Sequence, residues 1–517
     1  MDIISSEEMA IIDENSEYLG VSRLLLMENA GKSIAEEIER RFNPLKDKKI
    51  VIVAGLGNNG GDGFVSARHL ANRNAKITVI ILGEPEQIRT KEAKINWNII
   101  NNLKFSIKIE IVKDIGKLNA IKDRILNADI IIDAIFGTGI KGRIREPYST
   151  AIDVINEARG FKVAVDVPSG LNPDTGEIHE KCVKADITIT MHKVKPGILK
   201  RKEVAGEIIA ADIGVPPEAE KIVGPGDVKV CMKPRNLYSK KGDFGRILIV
   251  GGSIEYSGAP TFCALASLRT GADLTIIATP ESISNVIRSY SPNLIIRQLS
   301  GDYLTMDDLP KLMELAEYAT SIIVGPGLGL MDETAKTVRE FVKRVCKFKP
   351  LVLDADALKA ISKEPINISG SNTVLTPHVG EFSMLTGVNL APPERIEERM
   401  LQVMSEAKKF GVVILLKAHE DIISDGKRCK VNWTGNPGMT VGGTGDVLAG
   451  ITATLLSWGV QPFRAACASA FINGMAGDLA VKERGYHIMA TDVIEKIPEV
   501  FRKFEKTELG TLSLKNP

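Results

Sequence analysis

The sequence predicts two consecutive α/β domains, each built around a doubly wound and largely parallel sheet. The first observation is that short β-branched runs alternate with glycine-rich turns and helical patterns. These runs are apolar on both faces, which is typical of buried parallel strands. The second observation is a break in this alternation around 213–233, where two Gly-Pro clusters form turns before the pattern resumes. We therefore predict one domain over 1–228 and another over 229–517.

The predicted strands follow one another in a regular order in both domains. In the first domain they lie at 50–54, 77–82, 130–134 and 163–166. In the second domain they lie at 246–250, 272–278, 321–324, 351–353 and 412–416, with a further strand-like segment at 373–375. Ligands of open α/β sheets bind at the carboxyl ends of such strands, so the turns that follow them are the candidate sites.

Length, composition and charge exclude several classes of protein. The chain has 517 residues, of which 44% are apolar and 25% charged, and its net charge is +1. This balance disfavours binding of nucleic acid or of a membrane surface through bulk charge. No apolar run is long enough for a membrane span, and acidic residues stand where a signal peptide has lysines. Six scattered cysteines without a CxxC pair indicate neither a zinc site nor a disulfide framework, so we expect a cytoplasmic protein.

A glycine-rich segment follows the first predicted strand. Residues 55–63 read Gly-Leu-Gly-Asn-Asn-Gly-Gly-Asp-Gly and precede a helical pattern at 64–72. Glycines permit positive φ and close backbone approach, and a helix N-terminus presents free N–H groups to a phosphate. The segment lacks both the nicotinamide-dinucleotide fingerprint and the P-loop lysine, so neither standard site is favoured. A tight strand-to-helix turn without a ligand is the alternative.

Two further polar loops follow predicted strands of the same domain. Asp133 lies at the end of one strand and precedes the glycine-rich loop 137–143, which contains two cations. Asp166 ends the next strand and leads into Pro168-Ser169-Gly170. Because these loops meet at one edge of the sheet, we expect their polar groups to line one site.

The side chains of these loops indicate two kinds of chemistry. Oxygen ligands at Asn59, Asp133 and Ser169, together with backbone carbonyls, suit a cation such as K⁺. A carboxylate at Asp166 can move a proton as a general acid or base. Asp133 taken alone is equally well explained as a helix cap.

These three loops, in this order, resemble the NAD(P)H-hydrate epimerase domain of the bifunctional NAD(P)H-hydrate repair enzymes. The resemblance implies K⁺ at Asn59, Asp133 and Ser169. It also implies contacts with the hydrated dinucleotide, made by Asn58, Asn59, Gly60, Gly61, Asp62, Gly137, Thr138, Gly139, Ile140, Lys141, Gly142, Arg143 and Asp166.

A second glycine-rich segment lies near the end of the chain. Gly442-Gly443-Thr444-Gly445 precedes Asp446 and an apolar helical run at 447–456. Such a turn at a helix start makes an anion hole for a phosphoryl group. Asp446 is then a base that takes a hydroxyl proton as phosphate is transferred, or an acid that only complements the helix dipole.

The Gly-x-Gly-Asp pattern resembles the ribokinase-like superfamily, and further strings narrow the resemblance to the ADP-dependent NAD(P)H-hydrate dehydratases. These strings are 240–245, 251–253, 256–260, 325–329, 353–358 and 376–381. The resemblance implies that the hydrated substrate is contacted by Ala259, Gly327, His378 and Asp446. It implies that the nucleotide is contacted by Lys417, Ala418, His419, Glu420, Asp421 and Gly445. His378 taken alone is as often a structural histidine.

The nucleotide segment departs from the family's usual pattern. That pattern reads Lys-Gly-x-x-Thr, whereas this chain has Ala418 and Asp421 at the second and fifth positions. A carboxylate beside nucleotide phosphates is repulsive unless a metal or a proton compensates it. We therefore expect these two residues to affect the affinity for the nucleotide, whereas Lys417 matches the family pattern.

The resemblance covers nearly the whole chain and implies repair of hydrated NADH and NADPH. The first domain would interconvert the R and S epimers, with Asp166 as its candidate proton carrier. The second would dehydrate the S epimer with ADP and Mg²⁺, with Asp446 as base, releasing AMP and phosphate. It also implies a homo-oligomer with small-molecule partners only. The alternatives are a small-molecule kinase carrying a non-catalytic first domain, and a dinucleotide oxidoreductase.

Overall fold

The computed structural model describes residues 2–139, 143–178 and 180–505. The chain divides into two compact units, 1–219 and 220–517. The boundary predicted after residue 228 thus lies inside the second unit. Residues 220–228 belong there because Ile222 bridges Val431 and because Asp227 forms an ion pair of 2.8 Å with Lys430.

The first unit is a seven-stranded parallel sheet with the order β3-β2-β1-β4-β5-β6-β7. Its strands are β1 (Lys49–Ala54), β2 (Lys76–Leu82), β3 (Ile107–Val112), β4 (Ile130–Ala134), β5 (Phe161–Val165), β6 (Ile187–Met191) and β7 (Glu207–Ala211). Its helices are α1 (Ser6–Tyr18), α2 (Arg23–Phe42), α3 (Asn58–Ala71), α4 (Lys91–Asn102), α5 (Ile115–Ile121), α6 (Asp123–Leu126), α7 (Tyr148–Glu157), α8 (Pro196–Lys200) and α9 (Lys202–Ala205), and α10 (Glu218–Lys221) contains the boundary.

The second unit is a nine-stranded sheet with the order β10-β9-β8-β11-β12-β13-β14-β15-β16. Its strands are β8 (Arg246–Val250), β9 (Leu274–Pro280), β10 (Ile295–Leu299), β11 (Ser321–Val324), β12 (Leu351–Leu353), β13 (Thr373–Leu375), β14 (Val413–Leu416), β15 (Asp421–Ser424) and β16 (Cys429–Asn432). Its helices are α11 (Pro225–Lys229), α12 (Gly258–Thr270), α13 (Glu281–Tyr290), α14 (Leu309–Tyr318), α15 (Asp332–Val345), α16 (Asp356–Lys363), α17 (Val379–Thr386), α18 (Ile396–Phe410), α19 (Thr444–Ser457), α20 (Pro462–Arg484) and α21 (Ala490–Arg502).

Both sheets are covered on both faces, which explains why their central strands are apolar throughout. In β1, Ile50 and Ile52 pack into one core, while Val51 and Val53 pack into the core on the opposite face. Successive side chains of a strand point to opposite faces, so a strand between two helix layers must be apolar at every position. The prediction of two doubly wound α/β domains is confirmed.

The structure adds strands β3, β6, β7 and β10, which were not predicted, and it differs from the prediction in other places as well. Helix α3 begins at Asn58, so Asn58 to Gly63 form its first turns instead of a loop. Strand β5 ends at Val165, and Asp166 leaves it with φ +61°. The second sheet ends in the antiparallel strands β15 and β16. Within the described ranges, no helix is both long and apolar enough to cross a bilayer.

Candidate active sites in the two units

The first unit holds a cleft of about 760 Å³ between the carboxyl ends of β1 and β4, where the strand order reverses. Of the residues predicted to contact a dinucleotide, the cleft is lined by Asn58, Asn59, Asp62, Gly137, Thr138, Gly139, Arg143 and Asp166. Gly60 and Gly61 are buried in α3 behind this lining. Ile140, Lys141 and Gly142 lie outside the described residues.

The glycines at the start of α3 serve close packing. Glycines 55, 57, 60, 61 and 63 are absent from the positive-φ residues of the described chain, so close backbone approach, and not left-handed backbone, explains them. A Cβ on Gly55 would lie 2.1 Å from the carbonyl oxygen of Ile135, and one on Gly60 would lie 2.1 Å from that of Gly55. The glycines therefore let α3 and the loop after β4 approach each other until both reach the cleft.

The residues predicted to hold a cation converge beside this cleft. The Ser169 hydroxyl donates to Asp133 Oδ1 at 2.6 Å, and the Ser169 N–H donates to Oδ2 at 2.8 Å. A Cβ on Gly137 would lie 3.3 Å from Asn59 Oδ1, so the amide faces the same loop. Burial raises the pKa of Asp133 to about 6 despite the hydrogen bonds it accepts. A monovalent cation would compensate this desolvated carboxyl, and the oxygen donors fit K⁺.

Asp166 is held by an ion pair that the sequence did not suggest. Lys195 is 0% exposed, and its Nζ donates to Asp166 Oδ1 at 2.5 Å. The Thr190 hydroxyl and the Met191 N–H donate to the same oxygen, both at 3.1 Å. Asp166 Oδ2 accepts no hydrogen bond from the described part of the chain. Because Asp166 lines the cleft, this second oxygen is the one available to a ligand.

A further carboxyl group faces the cleft from a position that carried no motif. Asp13 lies in α1 and lines the cleft together with Asp62. Burial raises the pKa of Asp13 to about 6. Burial also raises the pKa of Asp62 well above its usual range, and the nearby carboxyls of Asp166 and Asp13 raise it further. Asp13 lies one helical turn after buried Met9 and directly after buried Ile12. An acidic residue on the apolar face of a helix was therefore the sequence signal that could have identified it.

The second unit places Asp446 at the start of a helix among charged neighbours. Gly443 adopts φ +97° immediately before α19, and Asp446 lies in the first turn of that helix, as predicted. Lys417 forms an ion pair of 2.7 Å with Asp354, and a Cβ on Gly445 would lie 3.2 Å from Lys417 Nζ. The lysine therefore lies against the glycine turn that the sequence identified as an anion hole.

The electrostatics of this cluster favour a poised base. Burial, and then the neighbouring carboxyl Asp354, raise the pKa of Asp446 to about 8. Burial opposes the charge on Lys417, but Asp354 outweighs it and raises the pKa of the lysine. Asp354 is thus the ion-pair partner of Lys417. It lies directly after β12, which explains why it reaches the carboxyl edge of the sheet.

The residues predicted to contact the dehydratase substrate lie along the same edge. A Cβ on Gly327 would lie 3.4 Å from the Cβ of Ala259, so the loop after β11 touches the first turn of α12. His378 is the third residue after β13, caps α17, and accepts the N–H of Gly380 at 3.0 Å through Nδ1. Its side chain is 59% exposed, so the structural role leaves Nε2 near the surface.

The predicted nucleotide segment forms the turn between β14 and β15. Asp421 accepts hydrogen bonds from the Ala418 N–H and from Asn432 Nδ2, both at 3.2 Å. Burial raises the pKa of this carboxyl to about 6. Ala418 and Asp421, the two residues that depart from the family pattern, thus close the hairpin between β14 and β15. No hydrogen bond or ion pair in the described ranges connects His419 or Glu420 with Lys417 or Asp446.

A metal site built only from His, Cys, Asp or Glu side chains is not indicated in the described residues of either unit. The described residues contain no group of three or more His, Cys, Asp or Glu side chains placed to hold a metal ion. Mg²⁺ is commonly bound through one or two carboxylates and the substrate's phosphates, so the second site fits an ion that arrives with its nucleotide.

Comparison with known proteins assigns the two units separately. Residues 23–197 match the family described as YjeF-related protein N-terminus, and residues 247–499 match NAD(P)H-hydrate dehydratase. The chain is 47% identical to a bifunctional NAD(P)H-hydrate repair enzyme of Pyrobaculum aerophilum, over 98% of this chain and 99% of that protein. A protein of the same description from Hyperthermus butylicus is 46% identical, over 96% of this chain and 91% of that protein.

Among solved structures, one similar chain is an ADP/ATP-dependent NAD(P)H-hydrate dehydratase from Bacillus subtilis, co-crystallised with ATP and Mg²⁺. The sequence identity is 26% and the TM-score 0.47, over 55% of this chain and 99% of that one.

Proposed function

Because the chain belongs to the family of bifunctional NAD(P)H-hydrate repair enzymes, we propose that Asp166 and Asp446 are the proton carriers of its two activities. The protein repairs hydrated NADH and NADPH: one unit epimerises the hydrate and the other dehydrates it. The first unit is Rossmann-like and the second ribokinase-like. The observation that carries the assignment of activity is the similarity along both units to relatives of this description, in one polypeptide.

For the epimerase we propose that the cleft of the first unit binds the hydrated nicotinamide end of the dinucleotide. The N-terminus of α3 offers free N–H groups to the pyrophosphate, and Arg143 lines the same cleft. Asp166 Oδ2 then faces the reacting ring and moves a proton. The contacts predicted for Gly137, Thr138 and Gly139 belong to the same proposal.

K⁺ would be held by Asn59, Asp133 and Ser169, and would supply a fixed positive charge beside the cleft. The buried carboxyl of Asp133 supports this assignment, since burial raises its pKa and a cation bound beside it would favour the ionised form. The same three side chains join α3 to the loops after β4 and β5. Cation binding would therefore also hold the walls of the cleft together.

For the dehydratase we propose that phosphorylation turns a poor leaving group into a good one. Hydroxide leaves slowly, whereas the phosphate of a phosphoryl ester leaves readily, and its departure together with a proton from the neighbouring ring carbon restores the dihydropyridine ring. Asp446 removes the proton of the hydroxyl, while the turn Gly442 to Gly445 and Lys417 stabilise charge on the phosphoryl group. Ala259, Gly327 and His378 line the substrate side of this edge.

ADP is the proposed phosphoryl donor, with AMP and phosphate as products besides NADH or NADPH. Mg²⁺ would be carried in by the nucleotide and would neutralise its phosphate oxygens. Lys417 and Gly445 lie against each other and are the proposed nucleotide contacts, whereas Ala418 and Asp421 contribute through the hairpin that they close. His419 and Glu420 complete the proposed segment. We further propose a cytoplasmic homo-oligomer that binds neither nucleic acid nor membrane.

The test follows the near-ultraviolet absorbance of NADH after the full chain is added to mixed hydrate epimers. ADP or ATP is supplied with Mg²⁺ and K⁺. We expect full recovery of NADH with the wild type, recovery of the S epimer alone with Asp166→Asn, and no recovery with Asp446→Asn. Chromatography should still show interconversion of the epimers by the latter variant.

Three results would contradict the proposal. Full recovery by Asp166→Asn would remove that residue from the epimerase. Full recovery by Asp446→Asn would do the same for the dehydratase. A stable phosphoester in place of inorganic phosphate would favour the alternative of a small-molecule kinase.

A further inference from the structure

The cleft of the first unit is lined by carboxyl groups besides Asp166, among them Asp13 and Asp62. We propose that Asp13 is a catalytic residue which donates a proton on one side of the bound ring, opposite Asp166, and that Lys195 is the positioning residue for Asp166. This inference rests on the proposed epimerase function of the cleft and adds two residues to it.

The position of Asp13 supports a catalytic role. It lines the cleft from α1, whereas Asp166 reaches the cleft from the end of β5. No hydrogen bond to the Asp13 carboxyl is formed within the described ranges, so this group is not engaged as a helix cap or in a turn there. The charged and titratable groups that face it are Arg23, Lys195, Asp166 and Asp62.

A separate observation indicates that the cleft is built for a polar ligand. Asn59 is 7% exposed, and its Nδ2 has no hydrogen-bond partner in the described structure. A buried donor left unsatisfied costs about 1 to 3 kcal/mol, so such groups persist mainly where a ligand completes them. Asn59 lines the same cleft as Asp13 and Asp166.

The hydrogen bonds of Asp166 suit it for the opposite role. Its Oδ1 accepts three donors, of which Lys195 Nζ is the nearest at 2.5 Å. Lys195 Nζ also donates to the Met191 carbonyl at 2.9 Å, so its own position is fixed. The lysine therefore orients Asp166 so that Oδ2 is presented to the cleft as a proton acceptor.

The chemistry of the hydrate needs both a donor and an acceptor. Hydration of an enamine puts the hydroxyl on the ring carbon bonded to nitrogen, because protonation of the neighbouring carbon leaves the cation there. Asp13 gives its proton to that hydroxyl oxygen, the C–O bond breaks, and the nitrogen lone pair forms a C=N⁺ bond as water leaves. A water then bonds to the opposite face, the C=N electrons return to nitrogen, and Asp166 Oδ2 takes the proton. One water leaves, one enters, and the proton returns to Asp13 through solvent.

Asp13 and Asp62 both line the cleft, but they lie on different elements. Burial raises the pKa of Asp13 to about 6, which suits a group that gives and recovers a proton near neutral pH. Burial, and then Asp166 and Asp13, also raise the pKa of Asp62. Asp62 lies in the first turns of α3 among the proposed dinucleotide contacts, whereas Asp13 lies apart from them in α1, so the acid role falls to Asp13 and the binding role to Asp62.

The experiment compares Asp13→Asn and Asp62→Asn in the full chain, starting from the purified R epimer. The appearance of the S epimer is followed by chromatography, with the rate without enzyme subtracted. We expect Asp13→Asn to lower kcat by roughly 10²- to 10⁴-fold with little change in KM. Asp62→Asn should raise KM and leave kcat within about threefold. Asp153→Asn, a change at an exposed ion pair with Lys181, is the matched control and should match the wild type.

Three further readouts separate catalysis from folding. The melting temperature of Asp13→Asn should equal or exceed that of the wild type, since a desolvated carboxyl is removed. The fall of wild-type kcat/KM above about pH 6 should vanish in this variant, because an acid is active only while protonated. In Lys195→Met, the fall of kcat/KM on the acidic side should set in at a higher pH than in the wild type. Lys195→Arg should restore the wild-type dependence in part.

Each outcome decides the proposal. Wild-type kcat in Asp13→Asn would overturn it, and loss of kcat in Asp62→Asn alone would transfer the role to that residue. An acidic limb unmoved by Lys195→Met would remove the positioning role. A wild type that fails to epimerise would sink the proposed function itself. Dehydration of the S epimer by Asp13→Asn at the wild-type rate should show that the second unit is intact.

Discussion

Replacing Asp446 with Asn should stabilise the protein at alkaline pH while abolishing dehydration. The carboxyl has a pKa of about 8 in the folded chain, raised by burial and by Asp354, against an ordinary value of 3.8. A raised carboxyl pKa means that the folded state binds the proton more tightly than the unfolded state. The stability that this proton contributes is complete below about pH 4 and is lost progressively as the pH rises to 8.

The size of the effect follows from the two pKa values. At 1.36 kcal/mol per pKa unit, the difference between 8 and 3.8 corresponds to roughly 6 kcal/mol over the whole range. Partial exposure of the carboxyl reduces this to a few kcal/mol. Between pH 6 and 8 the variant should therefore gain about 2 kcal/mol over the wild type, which is roughly 4 °C in melting temperature for a domain of this size.

The assay is thermal unfolding of the full chain at intervals from pH 5 to pH 9, with dehydration of the S epimer measured in parallel. Asp332→Asn is the matched control, because it also lies in the first turn of a helix but is 99% exposed. Its difference from the wild type should not vary with pH. The wild-type kcat/KM should rise towards pH 8, since a base is active only when deprotonated. A constant melting-temperature difference between Asp446→Asn and the wild type across this range would refute the reasoning.

Three further outcomes are expected from other parts of the second unit. Lys430→Met should lower the free energy of unfolding by about 3 kcal/mol, because the substitution removes a buried cation 2.8 Å from Asp227. Urea denaturation measures this loss, and a change below about 1 kcal/mol would contradict the prediction. Gly450→Ala should cost about 1 to 3 kcal/mol, because the new Cβ would lie 2.4 Å from a carbonyl oxygen of α12, and the melting temperature reports it. Asp421→Asn should tighten ADP binding above about pH 6, where the native carboxyl is ionised. Calorimetry measures the affinity for ADP, with Glu420→Gln as the control. Equal affinities of Asp421→Asn and the wild type would exclude charge repulsion by Asp421.

Most strands that the sequence identified are buried on both faces, although β6, which is buried at every position, was not predicted. The predicted segments at 50–54, 130–134 and 321–324 match observed strands to within one residue. Strands β3 and β7 are half-exposed and carry charged residues, so their apolar pattern is weak. The antiparallel edge of β15 and β16 was missed for a similar reason, since an edge hairpin is specified by its partner strand more than by its own composition.

The candidate sites divide in the same way. Glycine-rich strings such as 55–63 and 442–445 are contiguous, so their place at strand ends and helix starts could be predicted. Their conformations could not: the first string packs closely without left-handed backbone, whereas Gly443 does adopt it. Asp13 and Lys195 belong to no string and reach the cleft only because the fold brings their helices beside Asp166.

By itself, the sequence determined the two-domain α/β organisation, the family and the loops that carry the chemistry, because local periodicity and contiguous motifs encode these features. Only the tertiary structure decided which oxygen of Asp166 is available, how Lys417 is paired, and which carboxyls are desolvated. Burial and ion pairing depend on residues far apart in the chain, such as Lys417 and Asp354. Proton affinities at both sites therefore follow from the packing of the folded chain, whereas Asp166 and Asp446 could be proposed as proton carriers from the motifs alone.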